Sequence, residues 1–153
     1  MRSTQTQIKP LPAKKPDSPI LLALCLPALN VATPDILRAC INALAGSKAA
    51  PVGDDVQIVL AEAVNNIVEH AYSGLGFGAL ALRISLTGQS LRIDLIDWGC
   101  PFPNLSLPAG HAPEPETLSE GGYGWLLIRS LVSTLEYQRH ADSNQLSLHF
   151  DLR

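Results

Sequence analysis

The sequence predicts an α+β fold, a two-layer α/β sandwich whose mixed, mostly antiparallel sheet carries helices on one face. Three observations lead there. In Leu91–Asp97 and again in Gln145–Asp151, apolar and polar residues alternate with the period of half-buried strands. Between Val56 and Ala71 the apolar residues recur at helical spacing instead. Both patterns lie in one chain of 153 residues, long enough for a single core, and a sheet covered by helices on one side buries both kinds of element together.

Residues 1–19 are polar and carry Pro10, Pro12, Pro16 and Pro19. They read as a flexible tail ahead of a domain over 20–153. Leu21–Leu26 reads as a first strand that stops before Pro27. Lys14 and Lys15 ahead of this apolar run resemble a secretion signal only loosely, because Pro27 interrupts the run and no Ala-x-Ala site follows. Thr33 and Pro34 open a helix that places Ile36, Leu37, Cys40, Ile41 and Leu44 on one face and ends at Gly46.

The second helix is marked by Asp54 as N-cap with Gln57 three residues on, a capping-box arrangement. Its apolar stripe is Val56, Leu60, Ala63, Val64, Ile67 and Ala71. Ser73–Gly78 contains glycines and reads as a turn. Strands are expected at Ala79–Leu86 and Leu91–Asp97, then a long proline-broken loop over Pro101–Glu120 that suits a lid. A third helix is expected over Trp125–Leu135. A closing hairpin, Glu136–Arg139 with Gln145–Asp151, should turn around Asp142–Asn144.

Composition narrows the function classes. Hydrophobic residues are 46% and charged residues 16% of the chain, the balance of a folded protein. The formal net charge is −3 and Lys and Arg are scattered, so a nucleic-acid partner is not expected. No apolar run approaches a membrane span. Cys25, Cys40 and Cys100 fit neither a zinc pattern nor a disulfide framework, which suits reduced thiols in the cytoplasm. His70, His111, His140 and His149 are not at metal-ligand spacing, and His111 reads as a solvated loop residue.

Some short segments can carry chemistry. Glu62, Asn66 and His70 stand at i, i+4 and i+8, forming a polar stripe beside the apolar face with steps of about 6 Å. The carboxylate can deprotonate a hydroxyl, the amide oxygen is a hard ligand for Mg²⁺, and the imidazole can donate to phosphate. Taken alone, the stripe also fits ordinary boundary residues. Asp97 ends a strand, where it could accept from an exocyclic amine, and Gly99 would let a ring approach the backbone. By itself this is equally an Asp-x-Gly turn. Gly121, Gly122, Tyr123 and Gly124 run into Trp125 at the start of a helix, where free N–H groups and the helix field favour phosphate. A ligand-free hinge would have the same composition.

In this order and at these separations, the segments resemble the anti-sigma factor serine/threonine kinases of the GHKL superfamily, which also holds DNA gyrase, heat-shock chaperones, histidine kinases and mismatch-repair ATPases. Glu62-Ala63-Val64-Asn65-Asn66-Ile67-Val68-Glu69-His70-Ala71-Tyr72 resembles the N-box. Asp97-Trp98-Gly99-Cys100-Pro101-Phe102 resembles the adenine box, and Gly121 through Ile128 the phosphate box at the end of the ATP lid.

The resemblance implies a Bergerat-type ATP-binding fold and a kinase that uses ATP and Mg²⁺. By motif position Glu62 would be the general base, Asn66 the Mg²⁺ ligand and His70 a neighbour of the phosphates. Asp97 would bind the adenine amine, and Gly99, Gly121, Gly122, Tyr123, Gly124 and Trp125 would complete the nucleotide site. The partners it implies are a STAS-domain antagonist, which is phosphorylated, a sigma factor or other effector, and a second copy in a homodimer. Two departures stand out. No Lys or Arg occurs between Phe102 and Gly121, and Asn65 stands where relatives commonly carry a smaller or hydroxyl residue. The uncharged lid suits an alternative, an ATP-binding module that sequesters a protein with little turnover.

Overall fold

The computed structural model describes residues 18–110 and 123–152. Most of the tail, residues 1–17, lies outside them. At the rim of the sheet the Leu86 N–H donates to the Pro19 carbonyl at 3.1 Å. Strand β1 (Ile20–Pro27) forms one edge of the sheet, where a terminal proline is tolerated. Helix α1 (Thr33–Leu44) follows, with Pro34 in its first turn and Gly46 beyond its end at φ 74°, a left-handed position that glycine takes without strain.

Helix α2 (Gly53–Asn66) begins two residues earlier than an N-cap at Asp54 implies, with Val52 at the N-cap position, and the capping box at Asp54 does not form. A 3₁₀ turn at Ala50–Val52 runs directly into it, so the backbone is already helical at Gly53 and no extended residue precedes Asp54. Asp54 and Asp55 sit in the first turn instead, where the helix field favours their charge. At the other end the Ile67 N–H is shared between the Ala63 and Val64 carbonyls, and the helix widens into a π turn, Ile67–Ala71.

Strands β2 (Ala79–Thr87) and β3 (Ser90–Asp97) form a hairpin whose turn holds Gly88 at φ 58°. Helix α3 (Tyr123–Leu131) leads to β4 (Thr134–Arg139) and β5 (Asn144–Asp151). The third helix therefore stops short of Leu135. The Ser133 N–H already donates to His149 at 2.8 Å, so the β5 ladder captures the chain before another helical turn can form. The final turn lies over residues 140–143, and Asn144, expected in the turn, pairs with Arg139 as a ladder residue.

Among the described residues five strands run in the order β1-β2-β3-β5-β4, and every pairing is antiparallel. A mixed sheet was expected. Although α3 crosses between β3 and β4, which run in the same direction, β5 inserts between them and no parallel pair forms. The core lies between the inner face of the sheet and the helices. Ile84, Leu91, Ile93, Leu95 and Leu148 from the strands are fully buried with Val56, Leu60 and Ile128 from α2 and α3, each contributing about 1.5–3 kcal/mol by burial. Cys40 from α1 is also buried, and burial pushes its thiol up to about 12, so it stays inert. All three cysteines are free.

The outer face of β3 is not the solvated face that alternation implies, since Asp94 is 0% exposed. Arg83 reaches it from β2 at 2.8 Å, Arg92 from its own strand at 2.9 Å and Ser147 from β5 at 2.7 Å. Burial alone pushes this carboxyl up, but the bonds from Ser147, Arg83 and Arg92, with the Arg92 charge, outweigh it and hold the group below its ordinary value. A depressed carboxyl stabilises the fold above its unfolded value, and that contribution is lost as pH falls through the folded one. Asp94→Asn should cost about 1–3 kcal/mol at neutral pH, because both arginines are partly solvated. Urea unfolding across pH should show this deficit constant from about pH 8 to 5 and shrinking below about pH 4. A deficit that persists unchanged at the acid end would contradict an ionised Asp94.

Candidate functional site

The π turn divides the stripe that the sequence places on one helix face. Glu62 and Asn66 stand on the regular part of α2 and meet the start of α3. A Cβ built on Gly124 would lie 2.6 Å from Glu62 Oε2 and 3.7 Å from Asn66 Nδ2. The missing side chain of Gly124 is what leaves room for the carboxylate. Asn66 Nδ2 is buried with no partner among the described residues. Amide oxygen and nitrogen are interchangeable by rotation, so this position can equally present an oxygen.

That orphaned amide fits Mg²⁺. The ion takes hard oxygen ligands and is commonly held by one or two protein groups together with phosphates and water. Among the described residues no cluster of three or more His, Cys, Asp and Glu could hold a metal.

His70, within the π turn, is exposed and lines a different feature, a cavity of about 330 Å³. Ile67 and Ala71 complete the helix side. Asp97 and Asn144 lie at the sheet ends, Cys100, Pro101, Phe102, Pro103 and Pro108 follow β3, and Trp125 enters from α3. Mostly apolar walls with few polar groups suit a flat aromatic ligand. The Phe102 ring packs edge-on against Trp125 at 5.4 Å and against Tyr137 at 5.2 Å. Tyr123 is 57% exposed at the start of α3. Gly121 and Gly122, together with His111, lie outside the described residues.

Asp97 is 5% exposed. Its Oδ1 accepts from the Gly99 N–H at 2.9 Å and from Asn144 Nδ2 at 2.7 Å. Oδ2 takes no bond from a described residue. Burial raises the Asp97 carboxyl above its ordinary value, while the bonds from Asn144 and Gly99 and the charge of Arg139 oppose the rise. A carboxylate with one oxygen spoken for and one left over can accept from an exocyclic amine. Sequence reasoning missed Asn144, because only the register that pairs it with Asp97 brings the two together.

Gly99 has a different use from the one expected. A Cβ there would fall 2.6 Å from the Ala71 carbonyl carbon and 2.8 Å from the Ala71 Cβ. Its bare backbone approaches α2, and it is not among the residues lining the cavity. The neighbouring Cys100 N–H donates to the Ala71 carbonyl at 2.7 Å. Farther along, Arg129 donates through Nε and Nη2 to the Pro108 carbonyl at 3.1 and 2.8 Å. This ties the segment after β3 to α3.

Residues 27–150 match the family described as the histidine kinase-like ATPase domain. The chain is 32% identical over 88 residues to the serine/threonine-protein kinase BtrW of Bordetella bronchiseptica, a match covering 57% of this chain and 62% of the kinase. It therefore covers less than two thirds of that protein's length. It is 30% identical over 110 residues to the serine-protein kinase RsbW of Bacillus licheniformis, covering 67% and 69%. Among solved structures, the RsbU and RsbW domains of a Mycobacterium tuberculosis protein align with a TM-score of 0.58 and 20% identity, over 86% of this chain and 32% of that one. The histidine kinase domain of an Erythrobacter litoralis blue-light activated histidine kinase aligns at 0.50 and 20%, over 83% and 62%. These structural likenesses concern the fold, and they agree with the expected two-layer sandwich.

The two glycines should separate under substitution. Gly99→Ala meets backbone that cannot move aside and should cost about 1–3 kcal/mol or more, read as a lower melting temperature. Gly124→Ala meets only the tip of Glu62, and alanine suits a helix better, so melting should be unchanged or slightly higher. Equal destabilisation by the two would refute the distinction.

Proposed function

This chain belongs to the histidine kinase-like ATPase domain family, in its anti-sigma factor serine kinase branch, and on that premise we propose that it binds Mg·ATP and phosphorylates a partner protein. The substrate of this reading is a serine or threonine of a STAS-domain antagonist. The chain would work in the cytoplasm, as a homodimer, in a partner-switching circuit that also engages a sigma factor or another effector. Among the described residues no helix is long and apolar enough to cross a membrane. The observation that carries the reading is the seating of the Glu62 carboxylate and the orphaned Asn66 amide against Gly124, beside the cavity that Asp97 lines.

In this reading the purine enters the cavity and its exocyclic amine donates to Asp97 Oδ2, between walls supplied by Ile67, Phe102 and Trp125. His70, on the same cavity, would serve the phosphate nearest the sugar rather than the terminal one. The Gly124 amide at the start of α3 would face the phosphate chain, and by sequence Gly121 and Gly122 would add theirs. Asn66 would supply an oxygen to Mg²⁺, which when bound neutralises phosphate charge. Glu62 would accept the proton of the attacking hydroxyl as its oxygen bonds to the γ-phosphorus. The bond to the bridging oxygen breaks, and that oxygen leaves with ADP.

One observation favours a second reading, a module that binds ATP and sequesters a protein with little turnover. The Arg129 guanidinium is engaged with Pro108, and the sequence from Phe102 to Gly121 carries no Lys or Arg to meet the γ-phosphate. Labelled ATP and a STAS-domain protein encoded nearby separate the two. The kinase reading expects transfer to the antagonist by the wild type, a fall of about 100-fold or more in Glu62→Ala, and weaker Mg·ATP binding in Asn66→Ala. Tight ATP binding with no transfer to any antagonist would leave the sequestering module. Unchanged Mg·ATP affinity in Asn66→Ala would count against the metal-ligand role.

A further inference from the structure

We infer that Asn144 is a positioning residue for nucleotide recognition: it fixes which oxygen of Asp97 faces the cavity and so sets base preference, an inference that rests on the ATP reading above. Asn144 is 2% exposed. Its Nδ2 donates to Asp97 Oδ1 at 2.7 Å, with longer contacts to the carbonyls of Gly99 at 3.3 Å and Cys100 at 3.4 Å. Its Oδ1 accepts from the Tyr137 hydroxyl at 2.7 Å and from Arg139 Nη1 at 3.0 Å.

Chemistry allows only this orientation of the amide. Arg139 can only donate, while the carbonyls and an ionised Asp97 can only accept. The Tyr137 hydroxyl itself accepts from the Phe102 N–H at 3.1 Å, so its own proton is directed to Asn144. The couple therefore spans the site. The edge strand β4 supplies Tyr137 and Arg139, β5 supplies Asn144, and the two brace both Asp97 and the first residue pair of the lid stem. With Oδ1 occupied, Asp97 presents Oδ2 as an acceptor at a set angle. A base with an amine there is matched, and one with a carbonyl there places two acceptors together.

The charged and titratable groups around Asp97 are Tyr72 and His70 from the end of α2, Cys100 from the segment after β3, and Tyr137 and Arg139 from β4. None of them replaces the Asn144 donor. Substituting that donor by a carboxyl sets two acids against one another, and such a pair holds a proton that a lone carboxylate would release.

ATP and GTP binding to the full chain, measured by calorimetry from pH 8 to 5, tests the inference, with circular dichroism and melting temperature recorded for each variant. Wild type should prefer ATP and lose affinity for it only toward the acid end, because burial raises the Asp97 carboxyl above its ordinary value. Asn144→Ala should weaken ATP by about tenfold or more and GTP much less, so the preference collapses. A merely structural loss would weaken both alike. Asn144→Asp should bind ATP poorly at pH 8 and tighten on acidification, opposite to wild type, because the added proton restores a donor to Asp97. An unchanged preference in Asn144→Ala together with a wild-type pH profile in Asn144→Asp would overturn the positioning role. A wild type that binds no ATP would overturn the underlying reading, and the inference with it.

Discussion

The Cys100 amide and the Ala71 carbonyl, 2.7 Å apart, join the end of β3 to the end of α2. The contact depends on two local features at once. The π turn brings the Ala71 carbonyl to the end of the helix, and Gly99 has no Cβ to keep the strand away. Tyr72 reinforces the join, since its hydroxyl donates to Ala79 at 2.5 Å and accepts from the Trp98 N–H at 2.9 Å. Strand ends and helix end are thereby locked in one corner. Asp97 is buried there, and the cavity has its shape because this corner does not open.

From that corner the site extends in two directions. Toward the sheet edge, Asn144, Tyr137 and Arg139 form a polar floor in which each buried donor meets an acceptor. Such a network is costly if incomplete and rigid when satisfied. Toward the helices, Phe102 passes the contact to Trp125 and so to the first turn of α3. That turn is where Gly124 faces Glu62 and Asn66. The cavity and the Gly124 contact are thus joined by packed rings, with Arg129 holding Pro108 against the same helix.

The outer sheet face follows a different logic. Asp94 is covered by arginines from β2 and β3 and by Ser147 from β5, so it cross-links the central strands where no helix covers them. This carboxylate serves the scaffold, whereas Asp97, three residues on and facing the helices, is left with an unused oxygen. Their opposite shifts follow from their partners: cations and a hydroxyl hold Asp94 down, while burial with fewer compensating bonds raises Asp97.

Much of this was legible in the residues themselves. The strand at β1, both ends of α1, the turn after Tyr72 and the inward faces of β3 and β5 follow from periodicity, proline and glycine, because those signals act over a few neighbouring residues. Glu62, Asn66 and Asp97 were legible as candidates from residue type and spacing, and the structure seats the first two against Gly124 and the third on the cavity wall. What went astray depended on the chain running into an element or on distant partners. The capping box failed because the preceding chain was already helical, Leu135 left the helix because β5 captured Ser133, and the expected mixed sheet became antiparallel because β5 came between β3 and β4. Asn144 was invisible as a site residue for the same reason. A sequence states which side chains exist and which faces are apolar, since these follow from covalent order and local sterics. Only the register of strands far apart in the chain, chosen by burial of the whole core, decides that Asp97 meets Asn144 and that Glu62 meets a glycine.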